Sequence, residues 1–203
     1  MLAEVRRAIV TGDLKPGEQI VQDALAEQYG VSRVPLREAL KILEGEGQVT
    51  YKPHKGYFVT ELSTADLEEV YRLRELLEGE AIRVGIPRLT DEDLHRIAEA
   101  AEECEAASAA MDIVGLTAAN RRFHFELIES SEMPRLTRLV SVLWDSTDVY
   151  RSLYYGDSAH RATVIEEHRA IVAAARARDA DEVVRLLQEH REHAIEGVRA
   201  VLD

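Results

Sequence analysis

The sequence Gly-Val-Ser-Arg-Val-Pro-Leu-Arg-Glu-Ala-Leu-Lys-Ile-Leu-Glu-Gly-Glu-Gly, residues 30–47, carries its own punctuation. Gly30 can take the left-handed conformation that ends a preceding helix, and Ser32 stands where a hydroxyl can cap the next one. Pro35 falls in the first turn, where a missing amide hydrogen costs no intrahelical bond. Gly45 and Gly47 close the far end. At roughly 100° per residue, Leu36, Ala39, Leu40 and Leu43 share one side, while Arg33, Val34, Arg37 and Lys41 share the other. One face buries and the other is basic. That is the pattern of a helix laid in the major groove of DNA, where arginine can pair bidentately with guanine. A surface helix with solvated charges has the same pattern, so the flanking sequence decides.

Upstream, Leu2, Val5 and Ile9 are spaced as one helical face, and Gly-Asp-Leu-Lys-Pro-Gly at 12–17 is a turn by composition. A second short helix is predicted over 22–29. Downstream, 49–51 and 57–59 read as two strands around Lys-Pro-His-Lys-Gly. Helices, turns and hairpin in this order make residues 1–61 a winged helix-turn-helix domain. The hairpin tip then brings His54, Lys55 and Gly56 to a second stretch of nucleic-acid backbone or minor groove. The residues also match a known family. Leu-Ala-Glu (25–27), Gly-Val-Ser-Arg (30–33), Pro-Leu-Arg-Glu-Ala-Leu (35–40), Leu-Glu-Gly-Glu-Gly (43–47) and Lys-Gly-Tyr-Phe-Val (55–59) together resemble the GntR family of bacterial transcription regulators. The resemblance implies operator contacts from Arg33, Val34, Arg37, His54 and Gly56. One departure is Asp23, where some members carry a phosphate-binding arginine.

The 203-residue chain of 22.8 kDa is long enough for two modest domains with real cores. No stretch approaches the roughly twenty apolar residues of a membrane span, and no secretory leader is evident, so a soluble cytoplasmic protein is expected. The net charge of −13 looks unfavourable for DNA until it is divided. Residues 1–61 hold eight basic and nine acidic side chains, and the remaining 17 basic and 29 acidic residues fall in 62–203. A nearly neutral first domain with local basic surfaces can still bind phosphates. The single cysteine, Cys104, lies on an apolar stripe with Ile97 and Ala101 and reads as a buried small hydrophobe.

From residue 63 strand signals vanish, and helical periodicity runs to the end. Helices are predicted over 63–84, 90–109, 112–130, 134–155, 158–178 and 180–202, an antiparallel bundle of six, or seven if 114–117 breaks the third. Asn120 and His124, then His168, then His190 point inward from three different helices, whereas His95 lies off its stripe, His160 sits at a helix start and His193 lies at the edge of its stripe, and these three read as solvated. A lone inward histidine is usually a hydrogen-bonded core residue. Three together satisfy one another poorly by hydrogen bonding, while a divalent cation accepts neutral imidazole nitrogens and keeps coordination positions open. Arg74 flanks an apolar stripe and needs an anion, either Glu78 one turn on or the carboxylate of a ligand.

This region resembles the FCD ligand-binding domain of the FadR branch of GntR regulators, through residues 66–74, Asn-Arg-Arg-Phe-His at 120–124, Glu-His-Arg-Ala-Ile at 167–171, and His190. Many members bind a metal through Asp and three His at the positions of Asn120, His124, His168 and His190. Asparagine in place of that aspartate keeps an oxygen ligand but removes a negative charge. The resulting expectation is a mainly α, homodimeric, ligand-responsive regulator, a repressor of operator DNA. It is expected to hold a divalent metal ion, zinc ahead of nickel, manganese or iron, and to answer to a small carboxylate or hydroxy-acid effector. The rivals are a metal-dependent enzyme on the bundle and a DNA-binding protein with a purely structural metal or no effector. A di-iron bundle wants two inward Glu-x-x-His pairs, and the one at Glu92–His95 turns its histidine outward, so no enzyme is expected.

Overall fold

The structure, a computed structural model, describes residues 1–61 and 63–202. Leu62, at the expected domain boundary, and Asp203 lie outside the described residues. The N-terminal part packs α1 (Leu2–Val10), α2 (Gln22–Gln28) and α3 (Arg33–Gly45) against a small antiparallel sheet. The buried residues of α3 are Leu36, Ala39, Leu40 and Leu43, the apolar side of the predicted wheel. Gly30 and Gly47 adopt φ of +66° and +75° and terminate α2 and α3, whereas Gly45 stays helical. Ser32 occupies the cap position of α3 without a side-chain cap bond, contrary to expectation. Pro35 stands three residues after the cap and offers no N–H there, so of the two usual partners for the hydroxyl the Val34 N–H alone remains.

Besides the two hairpin strands β2 (Val49–Lys52) and β3 (Gly56–Val59) there is a strand that the sequence reading lacks, β1 (Gln19–Ile20). It precedes β2 and β3 in the chain and gives the order β1-β3-β2, with Gln19 opposite Phe58 and Tyr51 opposite Tyr57. The wing is thus anchored on both sides of β3.

The second part is helical: α4 (Thr64–Gly85), α5 (Asp91–Ala109), α6 (Ile113–Glu129), α7 (Pro134–Asp145), α8 (Asp148–Tyr155), α9 (Ser158–Arg176) and α10 (Ala180–Leu202). The seventh helix does not come from a break near 114–117, since α6 is continuous from its Asp112 cap. It comes from the predicted helix 134–155, which divides at Ser146 and Thr147. Their hydroxyls donate back to the carbonyls of Leu143 and Trp144 at 2.8 and 2.9 Å, and the Arg151 guanidinium also takes the Trp144 carbonyl at 2.7 Å. Side-chain donors end the helix where backbone amides would have continued it. Within the bundle α5 lies along α6 and α9, and α10 lies along α4, α8 and α9, which brings α6, α9 and α10 together at the centre.

The division at residues 146–147 is also the joint between the two parts. Gln48 donates its side-chain amide to the Asp145 carbonyl at 3.0 Å. Val149 of α8 is buried as part of the hydrophobic core of the N-terminal domain, where α8 meets α1. The Tyr150 hydroxyl accepts from Ser63 N–H at 2.8 Å and donates to the Ser63 carbonyl at 3.1 Å, fixing the start of α4.

A close approach elsewhere gives a test of the packing. At Gly85, a Cβ would lie 2.8 Å from the Ser131 amide nitrogen, so α4 meets the end of α6 backbone to backbone. Gly85→Ala should therefore destabilise the protein by about 1–3 kcal/mol, read as a lower urea midpoint with unchanged slope.

Candidate functional site

His124 on α6, His168 on α9 and His190 on α10 are buried, with exposures of 2, 1 and 7%. Their ring centroids lie 5.1–5.6 Å apart, and each offers a nitrogen within 4.8 Å of the others. The unpartnered atoms are informative. His124 Nε2, both nitrogens of His168 and Asn120 Oδ1 are buried without a hydrogen-bond partner. Buried polar atoms without partners cost stability, and four in one place need an explanation. The set of imidazole nitrogens plus one amide oxygen fits a divalent transition-metal ion. Burial first, and then the positive charge of neighbouring groups, holds the His124 and His168 rings well below the usual imidazole range, so both are neutral and available as ligands.

His190 is oriented by Glu167, which was quoted above within a motif without being given a role. Its Nδ1 donates to Glu167 Oε2 at 2.6 Å, which fixes the tautomer and leaves Nε2 for the cluster. Burial pushes the Glu167 carboxyl up, but hydrogen bonds and charge from His190 and His193 outweigh it, and the group lies below its ordinary range. His193 is half exposed and binds the other Glu167 oxygen. His95 is exposed as expected, whereas His160 is not simply solvated. It is half buried, stacked 4.4 Å from the Tyr154 ring with Nδ1 3.1 Å from the Tyr154 carbonyl. Cys104 is fully buried and its thiol is pushed up to about 12 by burial, an inert core residue.

On one side the cluster faces a cavity of about 20 Å³, bounded also by Asn120, Trp144 and three buried arginines, Arg74, Arg151 and Arg191. Arg74 donates Nε to Glu78 Oε1 at 2.7 Å, and Arg191 donates to Glu78 Oε2 at 2.9 Å. Glu78 is thus the partner Arg74 required, while Arg74 still borders the cavity. The guanidinium carbons of Arg74 and Arg151 lie 3.8 and 4.5 Å from the Trp144 ring centroid, and His124 lies 4.8 Å from the same ring. Arg74 was singled out from the sequence, but neither Arg151 nor Arg191 was.

The other predicted set is brought together around α3 and the wing. Arg37, Lys41, His54, Lys55 and Gly56 border one open cleft of about 780 Å³. Arg33 borders an adjoining cleft with Arg37, and Val34 projects from the first turn of α3 with 66% exposure. His54 and Gly56 have φ of +63° and +89°, so the wing tip is a tight turn whose left-handed backbone Gly56 accommodates freely. Gln19 donates to the Lys55 carbonyl at 2.6 Å and ties that tip to β1. Asp23, the departure noted above, forms an ion pair with Arg33.

Two domain families match. Residues 2–59 match "Bacterial regulatory proteins, gntR family" and residues 69–193 match the FCD domain. The chain belongs to the GntR family of bacterial regulators and carries an FCD domain. Among its relatives, the Nta operon transcriptional regulator of Aminobacter aminovorans is 30% identical over 95% of this chain and 92% of its own. The HTH-type transcriptional repressor GlaR of Escherichia coli is 26% identical over 92% of this chain and 88% of its own. The solved structure of E. coli McbR/YncC superposes with a TM-score of 0.86 at 27% identity, covering 100% of this chain and 96% of that one. These relatives are transcription regulators rather than enzymes, and this GntR protein is accordingly a DNA-binding regulator. No helix of the described residues is long and apolar enough to cross a membrane.

For the reading face, Arg37→Ala should cost about 1–3 kcal/mol of operator affinity and blur the preference among operator variants. Lys55→Ala should instead weaken all duplexes alike and flatten the salt dependence. Fluorescence anisotropy at fixed salt separates the two, and wild-type behaviour of both would remove the assignment.

Proposed function

We propose that this regulator is a homodimeric repressor whose helical domain binds a divalent metal ion and a small anionic effector of the carboxylate or hydroxy-acid class. The observation that carries the reading is the convergence of unpartnered ligand atoms from Asn120, His124 and His168, with His190 turned inward by Glu167. A nitrogen-rich set of this kind favours zinc, with nickel, manganese and iron as alternatives. A bound ion would supply concentrated positive charge and open coordination positions to an anion. The chain's own contribution lies beside it: among the described residues Arg74, Arg151 and Arg191 pair with two carboxylates, Glu78 and Asp148, so the cavity wall keeps an excess of positive charge.

A space of about 20 Å³ holds roughly one water molecule. Any carboxylate effector must therefore part the helices that close the cavity. Trp144 contacts both Arg74 and His124, and the chain passes directly from Trp144 to the Asp145 carbonyl that holds Gln48. Parting the helices strains this joint and shifts the reading head. A ligand that prefers one arrangement by about 1.4 kcal/mol changes their ratio tenfold, enough for regulation.

Dimerisation is inferred because one winged helix makes few contacts and twofold symmetry pairs operator half-sites. Leu73 and Leu76 on α4 and Leu139 and Val142 on the adjoining α7 are exposed, and pairing through the bundle would cover them. Light scattering should give a dimer at micromolar concentration; a monomer, free and on operator, would count against it.

The metal reading is tested on natively purified protein by elemental analysis. His168→Ala should lose the ion and the effector response while keeping its helical circular dichroism. Glu167→Gln should retain folding but bind metal about 10–100-fold more weakly. A His168→Ala protein that still released operator on effector addition would leave the ion at most structural.

A further inference from the structure

The histidine cluster has a second face, away from the arginines. Between α5 and α9 the surface opens into a groove of about 280 Å³, and His168 forms part of its wall. His168 is 1% exposed, and both of its ring nitrogens lack partners. Ala98 and Ala101 of α5 border it with small side chains. Two carboxylates, Glu102 and Glu105, stand on the same wall, and both are exposed. Glu105 is engaged by Arg169 at 2.6 Å, while Glu102 has no ion-pair partner among the described residues.

The two faces differ in what they admit. The arginine side combines a single-water cavity with an excess of buried positive charge, a barrier of both size and sign to a hydrated dication. The α5–α9 groove is larger than a hydrated ion needs. Its two carboxylates offset Arg169 and Arg176 on the opposite wall, and one of them is free to replace a water ligand.

We propose that the α5–α9 groove is the port by which a divalent cation reaches the cluster, with Glu102 as the capturing carboxylate and His168 as the first ligand met. The inference rests on the metal reading above and adds a direction to it: cation from the α5–α9 side, anion from the α4–α10 side. The two ligands then need not wait for one another.

The test is Co²⁺ uptake by full-length metal-free protein, followed by stopped-flow through the ligand-field absorption that nitrogen ligands produce. Ala101→Leu narrows the port without touching a ligand. It should slow association and dissociation alike, each about tenfold, because it raises the barrier and leaves the end states alone. Glu102→Gln, on an exposed position that cannot compromise folding, should slow association about threefold at low salt, a difference that vanishes near 1 M ionic strength where charges are screened beyond about 3 Å. Wild-type rates in both variants would overturn the port while the metal site stands. A wild-type protein that takes up no Co²⁺ at all would overturn the site itself and the port with it.

Discussion

One buried carboxylate holds the centre of this molecule in its shape. Glu78 is 1% exposed and divides its two oxygens between Arg74, one turn away on α4, and Arg191 on α10. Two cations on one anion, out of water, is an arrangement that survives only with good geometry, and removing the anion from such a set costs about 3–5 kcal/mol. The residual positive charge is felt by the neighbours: Arg74 and Arg191 add to burial in holding His124 neutral. Burial also draws the Arg191 guanidinium below its ordinary range, against the opposing pull of Glu78. Unpartnered atoms of Asn120 and His124 thus belong to residues that border the same small cavity as the buried arginines.

The fold uses its polar side chains at a second place in the same way. At the α7–α8 division, carbonyls that a longer helix would have satisfied are given to Ser146, Thr147, Arg151 and Gln48. Arg151 belongs to both systems, since it ends α7 and lies over Trp144. The histidine cluster and the domain joint are therefore neighbours through shared residues, and no long chain of contacts is needed to connect them.

How much of this was legible in the sequence follows from which forces the sequence displays. The buried and basic sides of α3, the wing and the inward histidines were readable because each rests on a local period, and the structure keeps those faces. The strand Gln19–Ile20 was not, since two residues paired with β3 carry no period at all. The division of the predicted helix 134–155 was hidden because Ser146 and Thr147 sit within a sound amphipathic pattern, and the donors that complete the break come from Arg151 and Gln48, the latter in the other domain. Glu167 and Arg191 each adjoin a histidine in sequence, but neither was given a role there. Their contacts with His190 and Glu78 come from other helices and are a tertiary property.

Val149 has a consequence for how such a protein can be rearranged. A side chain of the helical FCD half completes the apolar interior of the winged-helix half. The two halves are therefore not freely interchangeable parts. A reading head transplanted onto another sensor would arrive with a hole in its interior unless the recipient supplied a residue of like volume at the same corner. Recombination between members of the family should succeed when the crossover carries that corner along with the head, although it lies some ninety residues further down the chain.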